Sequence, residues 1–209
     1  MRLPHPEYAT FSVADRVVAL RAWSSDDAAF IAAASTDPAL QRYSLPHDPR
    51  GHPAPPPSIA DASTTIDEFR ANWKAAATTG ALIGVGFAIT DAANGARLGQ
   101  CGIDEWSTDD VAQIGYWLAP AARGNGYATR AVVLLTNWLF GHGAERVFMT
   151  IVAENDASAA VARRAGFTHE GTMRAHTVWH DERSDVMWFA MLRDEWREDL
   201  ASDAKDCEH

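Results

Sequence analysis

The residues best suited to chemistry lie in a glycine-rich turn, Arg123-Gly124-Asn125-Gly126-Tyr127-Ala128, between a strand-like and a helix-like segment. Backbone N–H groups at a helix start lack an intrahelical acceptor, and the helix dipole adds partial positive charge there. A pyrophosphate fits such a turn where the backbone is bare, as at Gly124 and Gly126, and Arg123 would add a charge-assisted contact. The turn lacks the Lys-Ser/Thr pair of a P-loop and the third glycine of a dinucleotide fingerprint, which disfavours nucleoside triphosphates and nicotinamide cofactors. Taken alone, Gly-x-Gly fits a purely structural tight turn equally well.

The segments around this turn follow an α/β order. Strand-like segments rich in β-branched and aromatic residues cover 16–23, 82–90, 97–106, 111–118, 146–153, 167–176 and 186–192. Helical periodicity covers 28–34, 65–79, 127–140 and 156–164. Thr65 and Glu68 have capping-box spacing and predict the start of the second helix, which Gly80 ends. An antiparallel meander followed by a strand-helix-strand-helix run predicts a mixed sheet.

Composition predicts one acidic globular domain. The 209 residues include 18 basic and 28 acidic side chains, for a formal net charge of -10. We assign residues 1–200 to a single domain and expect the acidic tail, 201–209, to be disordered. The negative balance disfavours nucleic acid and anionic membranes as partners and favours a cationic substrate. The N-terminal residues are unlike a signal peptide, and no apolar run is long enough for a membrane helix, so we expect a cytoplasmic protein.

Two other features bear on function. A proline-rich insertion at 44–62 holds Pro46 to Pro57 and is expected to be a loop, with a lid over the site and a disordered insertion equally favoured. Cys101 lies in an apolar run and Cys207 in the polar tail. Neither cysteine has neighbours at metal-ligand spacing, so we expect no metal site and no disulfide scaffold.

An ordered set of motifs resembles the GNAT superfamily of N-acetyltransferases, and within it the Rim-type subgroup, which acetylates protein N-termini and small amines. The motifs are Ile114-Gly115-Tyr116-Trp117-Leu118, Arg123-Gly124-Asn125-Gly126-Tyr127-Ala128, Asn155-Asp156-Ala157-Ser158, Gly166-Phe167 and Glu170-Gly171. The resemblance extends from about Val17 to Trp196. It implies an α/β fold with six to seven strands in a mixed sheet, about four flanking helices, and parallel, splayed fourth and fifth strands (111–118 and 146–153). Acetyl-CoA would lie between these two strands, with its pyrophosphate on the 123–128 turn.

The chain departs from the family pattern at two positions. Ala121 stands where many members carry Gln or Arg, although Rim-type sequences often lack that residue and keep the arginine found here at Arg123. Gln113 stands where Rim-type sequences often carry Glu, so a carboxylate base from that position is unavailable.

The resemblance also suggests roles for individual residues. A backbone N–H near Leu118 would polarise the thioester carbonyl. Asn155 would orient the CoA arm or a water, although an ordinary helix cap explains it equally well. Ser158 would be the general acid for the departing thiolate, and its alternative is an ordinary first-turn serine.

The general base stays open among three residues. Asp104, Glu105 and His176 lie on strands that should reach the pocket, and we rank Glu105 and His176 first. For Asp185 and Glu170 we favour hydrogen bonding within the sheet. Large aromatic residues could wall the acceptor pocket but are more often core, and these are Trp106, Trp117 and Trp179.

The expected function is acetyl transfer from acetyl-CoA to a primary amine by direct attack in a ternary complex. The acceptor classes left open are a protein N-terminus, a polyamine, an amino acid and an aminoglycoside, and a homodimer is also left open. Two alternatives remain: a GNAT-fold module that binds acyl-CoA as a sensor without turnover, and a small interaction protein in which the glycine turn is structural.

Overall fold

A computed structural model describes residues 7–44 and 47–197. The expectations for the first six residues, Pro46, Cys207 and the tail at 201–209 therefore lie outside the described residues. Within the described part the strands are β1 (Ser12–Ala14), β2 (Val18–Ala22), β3 (Leu82–Asp91), β4 (Arg97–Trp106), β5 (Val111–Leu118), β6 (Arg146–Val152), β7 (Thr168–Trp179) and β8 (Glu182–Leu192). The helices are α1 (Ala28–Ala34), α2 (Pro38–Tyr43), α3 (Ile59–Thr79), α4 (Tyr127–Gly141) and α5 (Asp156–Arg164).

The described strands form one mixed sheet in the order β1-β2-β3-β4-β5-β6-β8-β7. The pair β5–β6 is parallel, and its register covers only Val111–Gln113 opposite Arg146–Phe148. Beyond Gln113 the two strands separate, while β5 stays paired with β4 along its length. This confirms the mixed α/β fold and the splayed parallel pair. The structure has eight strands where six to seven were expected, because residues 16–23 contribute only β2 and a separate short strand, β1, precedes it.

Helices cover both faces of the sheet. Helix α4 places Ala131, Leu135 and Leu139 on one buried stripe, as their four-residue spacing predicts, against the main core. Helix α1 and the first half of α3 pack in a second, smaller cluster that includes Trp23 and Ile66, and α3 also contributes Trp73 and Ala76 to the main core. Burying a leucine or isoleucine side chain such as those of Leu135, Leu139 and Ile66 contributes about 1.5–3 kcal/mol.

Helix α3 begins earlier than the sequence predicted. Ser58 is its N-cap, and Ser58 and Asp61 form the capping box, so Thr65 and Glu68 lie inside the helix. Its end is as predicted, since Gly80 has a φ of 73° and closes the helix in the left-handed conformation that glycine tolerates. Helix α2, which was not predicted, starts at Pro38 after the N-cap Asp37.

A buried carboxylate ties the first helical turn to the sheet. Asp27 is inaccessible to solvent and forms ion pairs with Arg21, at 2.7 Å, and with Arg97. Asp27 also accepts a hydrogen bond of 2.9 Å from the backbone N–H of Ser24. Burial alone would raise the pKa of Asp27, but the two guanidiniums and the Ser24 N–H outweigh it and hold that pKa well below its usual range.

The proline-rich insertion is docked on the β7–β8 turn in its described part, 47–57. The backbone N–H of Asp181 donates to the carbonyl of Arg50 at 2.8 Å, and His52 Nε2 lies 2.8 Å from Asp181 Oδ2. A Cβ at Gly51 would lie 2.5 Å from the Cα of Trp179, so only glycine allows this approach. These contacts place the segment against Trp179, a residue of the cleft described below, although none of the residues 47–57 lines that cleft itself.

Candidate active site

A cleft of about 950 Å³ opens where β5 and β6 separate. It continues over the face of β3, β4 and β5 that α3 covers. Its principal polar and aromatic lining residues are Tyr43, Phe69, Gln100, Asp104, Gln113, Tyr116, Trp117, Arg123, Asn155, Ser158, Arg164 and Trp179. The cleft therefore brings the glycine-rich turn, the end of β5 and the first turn of α5 to one place.

The glycine-rich turn has an open, donor-rich backbone. Gly124 and Gly126 have φ values of 81° and 76°, and a Cβ built on either would meet no atom within 4 Å. No described residue accepts a hydrogen bond from the backbone N–H groups of the turn that opens α4, which are those of Gly124, Asn125, Gly126, Tyr127, Ala128 and Thr129. Unpaired donors at the start of a fifteen-residue helix with clear space in front of them suit a phosphate group.

The remaining side chains of the turn have supporting positions. Asn125 Nδ2 donates to the carbonyl of Arg123 at 3.1 Å, which closes the turn. Tyr127 is half-buried and packs on the main core, and Ala128 is buried at the edge of the cleft. Asn125 and Tyr127 could therefore contact a ligand through their backbone, since the Asn125 side chain closes the turn and the Tyr127 side chain packs on the core.

Arg123 is already engaged in this structure. Its guanidinium forms an ion pair with Asp37, the N-cap of α2, and donates to the carbonyl of Leu118 through Nε at 3.2 Å. The Arg123 guanidinium also holds the pKa of Asp37 below its usual range. Arg123 therefore links the turn, α2 and the end of β5, and a direct contact with a pyrophosphate would require it to leave these partners.

The end of β5 directs a backbone donor into the gap. The N–H of Ala119 donates to Leu98 on the β4 side at 2.8 Å. Because successive N–H groups of a strand point to alternate sides, the N–H of Leu118 points away from β4, toward the splayed gap. The backbone N–H of Leu118 is thus directed into the gap, where the resemblance had suggested a donor to the thioester carbonyl.

A hydrogen-bonded group of three side chains connects β5 to α5. The Tyr116 hydroxyl donates to Ser158 Oγ at 3.0 Å, and the Ser158 backbone N–H donates to Asn155 Oδ1 at 3.1 Å. Burial raises the pKa of Tyr116, so its hydroxyl keeps its proton. Asn155 is thus the N-cap of α5, and its side chain orients Ser158. Tyr116 was quoted as a family motif but missed as a site residue, because its contact with Ser158 joins two segments far apart in the chain.

Asp104 is the carboxylate of the cleft. The register between β4 and β5 shifts between Ile103 and Glu105, so Asp104 occupies a bulge, and its Oδ2 would lie 3.1 Å from a Cβ on Gly115. Asp104 is exposed to solvent, as the neighbouring Glu105 is, but it lines the cleft, and partial desolvation of its carboxyl by the surrounding protein raises the pKa of Asp104 to about 6. Among the described residues, no side chain pairs with it.

The two residues ranked first as bases lie elsewhere. Glu105 is exposed and follows the bulge, outside the lining of the cleft. His176 is exposed on β7, also outside the lining. Bulges are hard to see in a sequence, and the one at Asp104 decides which of two adjacent acidic residues enters the cleft.

The other predicted residues divide between the cleft and the sheet. Trp117 and Trp179 line the cleft, whereas Trp106 is fully buried in the core. Glu170 pairs with Arg146 at 2.6 Å, and Asp185 accepts from the N–H of Ala175 at 2.8 Å, as expected for hydrogen bonding within the sheet.

The described residues contain neither a metal-binding cluster nor a membrane-spanning helix. No group of three or more His, Cys, Asp or Glu side chains in the described part of the chain could hold a metal ion. Within 7–44 and 47–197, no helix is long and apolar enough to cross a membrane.

Comparison with known proteins identifies the family. Residues 18–168 match the acetyltransferase (GNAT) domain family. YdaF of Bacillus subtilis (strain 168), assigned by name as a ribosomal N-acetyltransferase, is 33% identical over 86 residues, which are 41% of this chain and 47% of YdaF. The chain thus spans about half the length of this curated relative. The family match extends over most of the chain, so the protein belongs to the GNAT acetyltransferase family.

Solved structures agree on the fold. Mycobacterium smegmatis RimJ in complex with CoA-disulfide superposes with a TM-score of 0.72 at 24% identity, covering 91% of each chain. A ribosomal-protein-S5-alanine acetyltransferase from Vibrio fischeri superposes with a TM-score of 0.71 at 18% identity, covering 90% of this chain and 99% of the other. These likenesses confirm the GNAT fold predicted from the motifs.

Proposed function

We propose that the protein transfers the acetyl group of acetyl-CoA to a primary amine by direct attack in a ternary complex. The observation that carries the proposal is the arrangement within one cleft of an open anion-binding turn, an outward backbone N–H at Leu118, the Tyr116–Ser158 hydrogen bond and the unpaired carboxylate of Asp104. The residues fit acetyl-CoA because the turn can hold a pyrophosphate and the splayed strands leave room for an extended arm. When bound, acetyl-CoA supplies the thioester carbonyl that the amine attacks.

Asp104 is suited to receive the proton of the acceptor. A carboxylate with a pKa of about 6 is mostly ionised at pH 7, so it attracts an ammonium group and accepts its proton. The neutral amine that results attacks the thioester carbon with its lone pair and forms the C–N bond. Leu118 N–H donates to the oxygen on which negative charge develops.

Ser158 and Tyr116 are suited to protonate the leaving group. Because Tyr116 donates its hydroxyl proton to Ser158 Oγ, the Ser158 proton is free to be given to the thiolate when the C–S bond breaks. Tyr116 then returns a proton to Ser158 and is reprotonated from solvent, while the second proton of the acceptor nitrogen leaves to solvent as the amide forms. The side-chain oxygen of Asn155 accepts a hydrogen bond from the backbone N–H of Ser158 and so holds the serine in place.

A non-catalytic acyl-CoA sensor is the second candidate function. It needs only the glycine turn and the splayed strands, and it gives no use to an unpaired carboxylate beside Gly115. Asp104 therefore favours the enzyme.

The proposed acceptor is a primary amine, either the N-terminus of a protein or peptide or the amino group of a small molecule. The relatives named as ribosomal-protein acetyltransferases support testing a peptide first.

Free thiol released from acetyl-CoA should be measured with trialanine amide as acceptor, with Ser158→Ala as control. Release above the no-acceptor rate that falls in the variant supports the enzyme. Tight acetyl-CoA binding without release on any amine would instead support the sensor.

A further inference from the structure

Gln100 shares the cleft with Asp104 and lies on the same face of β4. The two residues are four positions apart, which places their Cα atoms about 13 Å from each other at the usual strand rise. Gly86, Gly102 and Gly115 are register partners across β3, β4 and β5, so these three positions add no side chain to the floor, over which the side chains of Gln100 and Asp104 lie. An extended acceptor with its amine at Asp104 can therefore lie along this floor and reach Gln100.

The side-chain amide of Gln100 has a fixed orientation. The indole Nε1 of Trp23 donates to Gln100 Oε1 at 3.1 Å, and an indole N–H can only donate. The oxygen must therefore face Trp23, which is buried and stacked beside Trp117. A Cβ at Gly86 would lie 2.6 Å from the amide carbon, so the amide lies flat over that glycine.

The NH₂ group of Gln100 is left as a donor. No described residue accepts a hydrogen bond from Gln100 Nε2, and Gln100 lines the cleft. Among the described residues that line the cleft, Asp104 is the one carboxylate. A second ammonium group on an acceptor would thus meet a donor at Gln100 and no second anion.

We propose that Gln100 determines acceptor specificity by donating through Nε2 to an oxygen of the acceptor, such as a carbonyl, and by disfavouring polycationic amines. The inference rests on the proposed acetyl transfer. Gln100 would favour acceptors that carry one amine followed by a hydrogen-bond-accepting oxygen, and polyamines would be poor substrates.

The test uses three acceptors and two variants of the full chain. The acceptors are trialanine amide, which has one amine and carbonyl oxygens, hexylamine, which has one amine and no oxygen, and spermidine, which has several amines. Gln100→Ala removes the donor. Gln100→Glu replaces the donor by a carboxylate that still accepts from Trp23, so the buried hydrogen bond is retained.

Losing one neutral hydrogen bond should raise KM for trialanine amide about 3- to 10-fold in Gln100→Ala and leave hexylamine within about twofold. Gln100→Glu should lower KM for spermidine about threefold or more, because it adds a carboxylate for a second ammonium. KM for acetyl-CoA should stay the same in both variants.

The inference is overturned if Gln100→Ala affects trialanine amide and hexylamine equally, if Gln100→Glu gains nothing with spermidine, or if KM for acetyl-CoA rises. Each of these results would make Gln100 a structural residue while acetyl transfer itself stands. If the wild-type protein acetylates none of the three amines, the proposed function fails and this inference fails with it.

Discussion

Replacing Asp104 by Asn tests the assignment of the base. The change keeps the size of the side chain and removes the carboxylate that desolvation holds at a pKa of about 6. General-base catalysis typically contributes about 10²- to 10⁴-fold, or about 2.7–5.5 kcal/mol of barrier. We therefore expect kcat/KM for a peptide acceptor at pH 7 to fall by about that factor in Asp104→Asn.

The pH profile separates a base from a merely structural residue. At a pKa of 6 the carboxylate is about 90% ionised at pH 7 and about 10% ionised at pH 5. Wild-type kcat/KM should thus rise through pH 6, as the carboxylate that accepts the ammonium proton forms, and should not fall near pH 8, where a terminal α-amino group is deprotonated and can attack directly. Asp104→Asn has no carboxylate, so its activity should rise only near pH 8, as the free amine forms.

Stability supplies an independent readout of the same carboxylate. A folded-state pKa above the unfolded value means that the wild-type protein loses stability as pH rises from about 4 to about 6. Asp104→Asn escapes this loss, so its thermal midpoint should exceed that of the wild type at pH 8. The two midpoints should converge below pH 4.

Matched variants complete the assay, which follows thiol release from acetyl-CoA between pH 5 and 9. Glu105→Gln and His176→Gln change the residues that the cleft leaves outside, and we expect both to stay within about twofold of the wild type. The reasoning would be refuted if kcat/KM of Asp104→Asn still rose through pH 6, or if its value at pH 7 stayed within threefold of the wild-type value. A large loss in Glu105→Gln would restore the first-ranked sequence prediction.

Three further predictions follow from the geometry. Gly126→Val should weaken acetyl-CoA binding at least tenfold in calorimetry, because a β-branched residue is strained at a φ of 76° and its side chain would fill the open turn; unchanged affinity would argue against the anion site. Ser158→Ala should lower kcat more than KM, and Tyr116→Phe should do the same to a smaller extent, in single-turnover measurements of thiol release; a larger loss in Tyr116→Phe would contradict the relay. Asp27→Asn should lower the free energy of unfolding in urea at pH 7 by about 2 kcal/mol, since Arg21 and Arg97 are partly exposed and keep some hydration. The difference from the wild type should shrink as pH falls below about 4, and a difference that stays constant would contradict the lowered pKa of Asp27.

Much of the fold could be predicted from periodicity and turn chemistry. The bounds of β4 and β5 and the start of α4 agree with the sequence reading, because alternating apolar strands and a glycine turn before an amphipathic stripe are strong local patterns. The start of α3 was misplaced because two capping boxes compete, at Ser58–Asp61 and at Thr65–Glu68, and local spacing cannot choose between them.

The candidate site was only partly predictable, for a different reason. The glycine turn, Asn155 and Ser158 lie within contiguous motifs, so the sequence shows them together. Asp104 depends on a bulge, and the pairing of Tyr116 with Ser158 joins residues 42 positions apart. Such relations arise from sheet register and helix docking, which no single stretch of sequence displays.

Binding of acetyl-CoA tests the central claim most directly. A ligand present at 100 times its Kd stabilises the folded state by about 2.7 kcal/mol, which for a domain of this size raises the thermal midpoint by about 5–10 °C. We predict such a rise with acetyl-CoA and CoA, none with ATP, and a rise of about half that size or less with the same concentration of acetyl-CoA in Gly126→Val. An unchanged midpoint of the wild-type protein in saturating acetyl-CoA would contradict the placement of the cosubstrate between β5 and β6 and the proposed function with it.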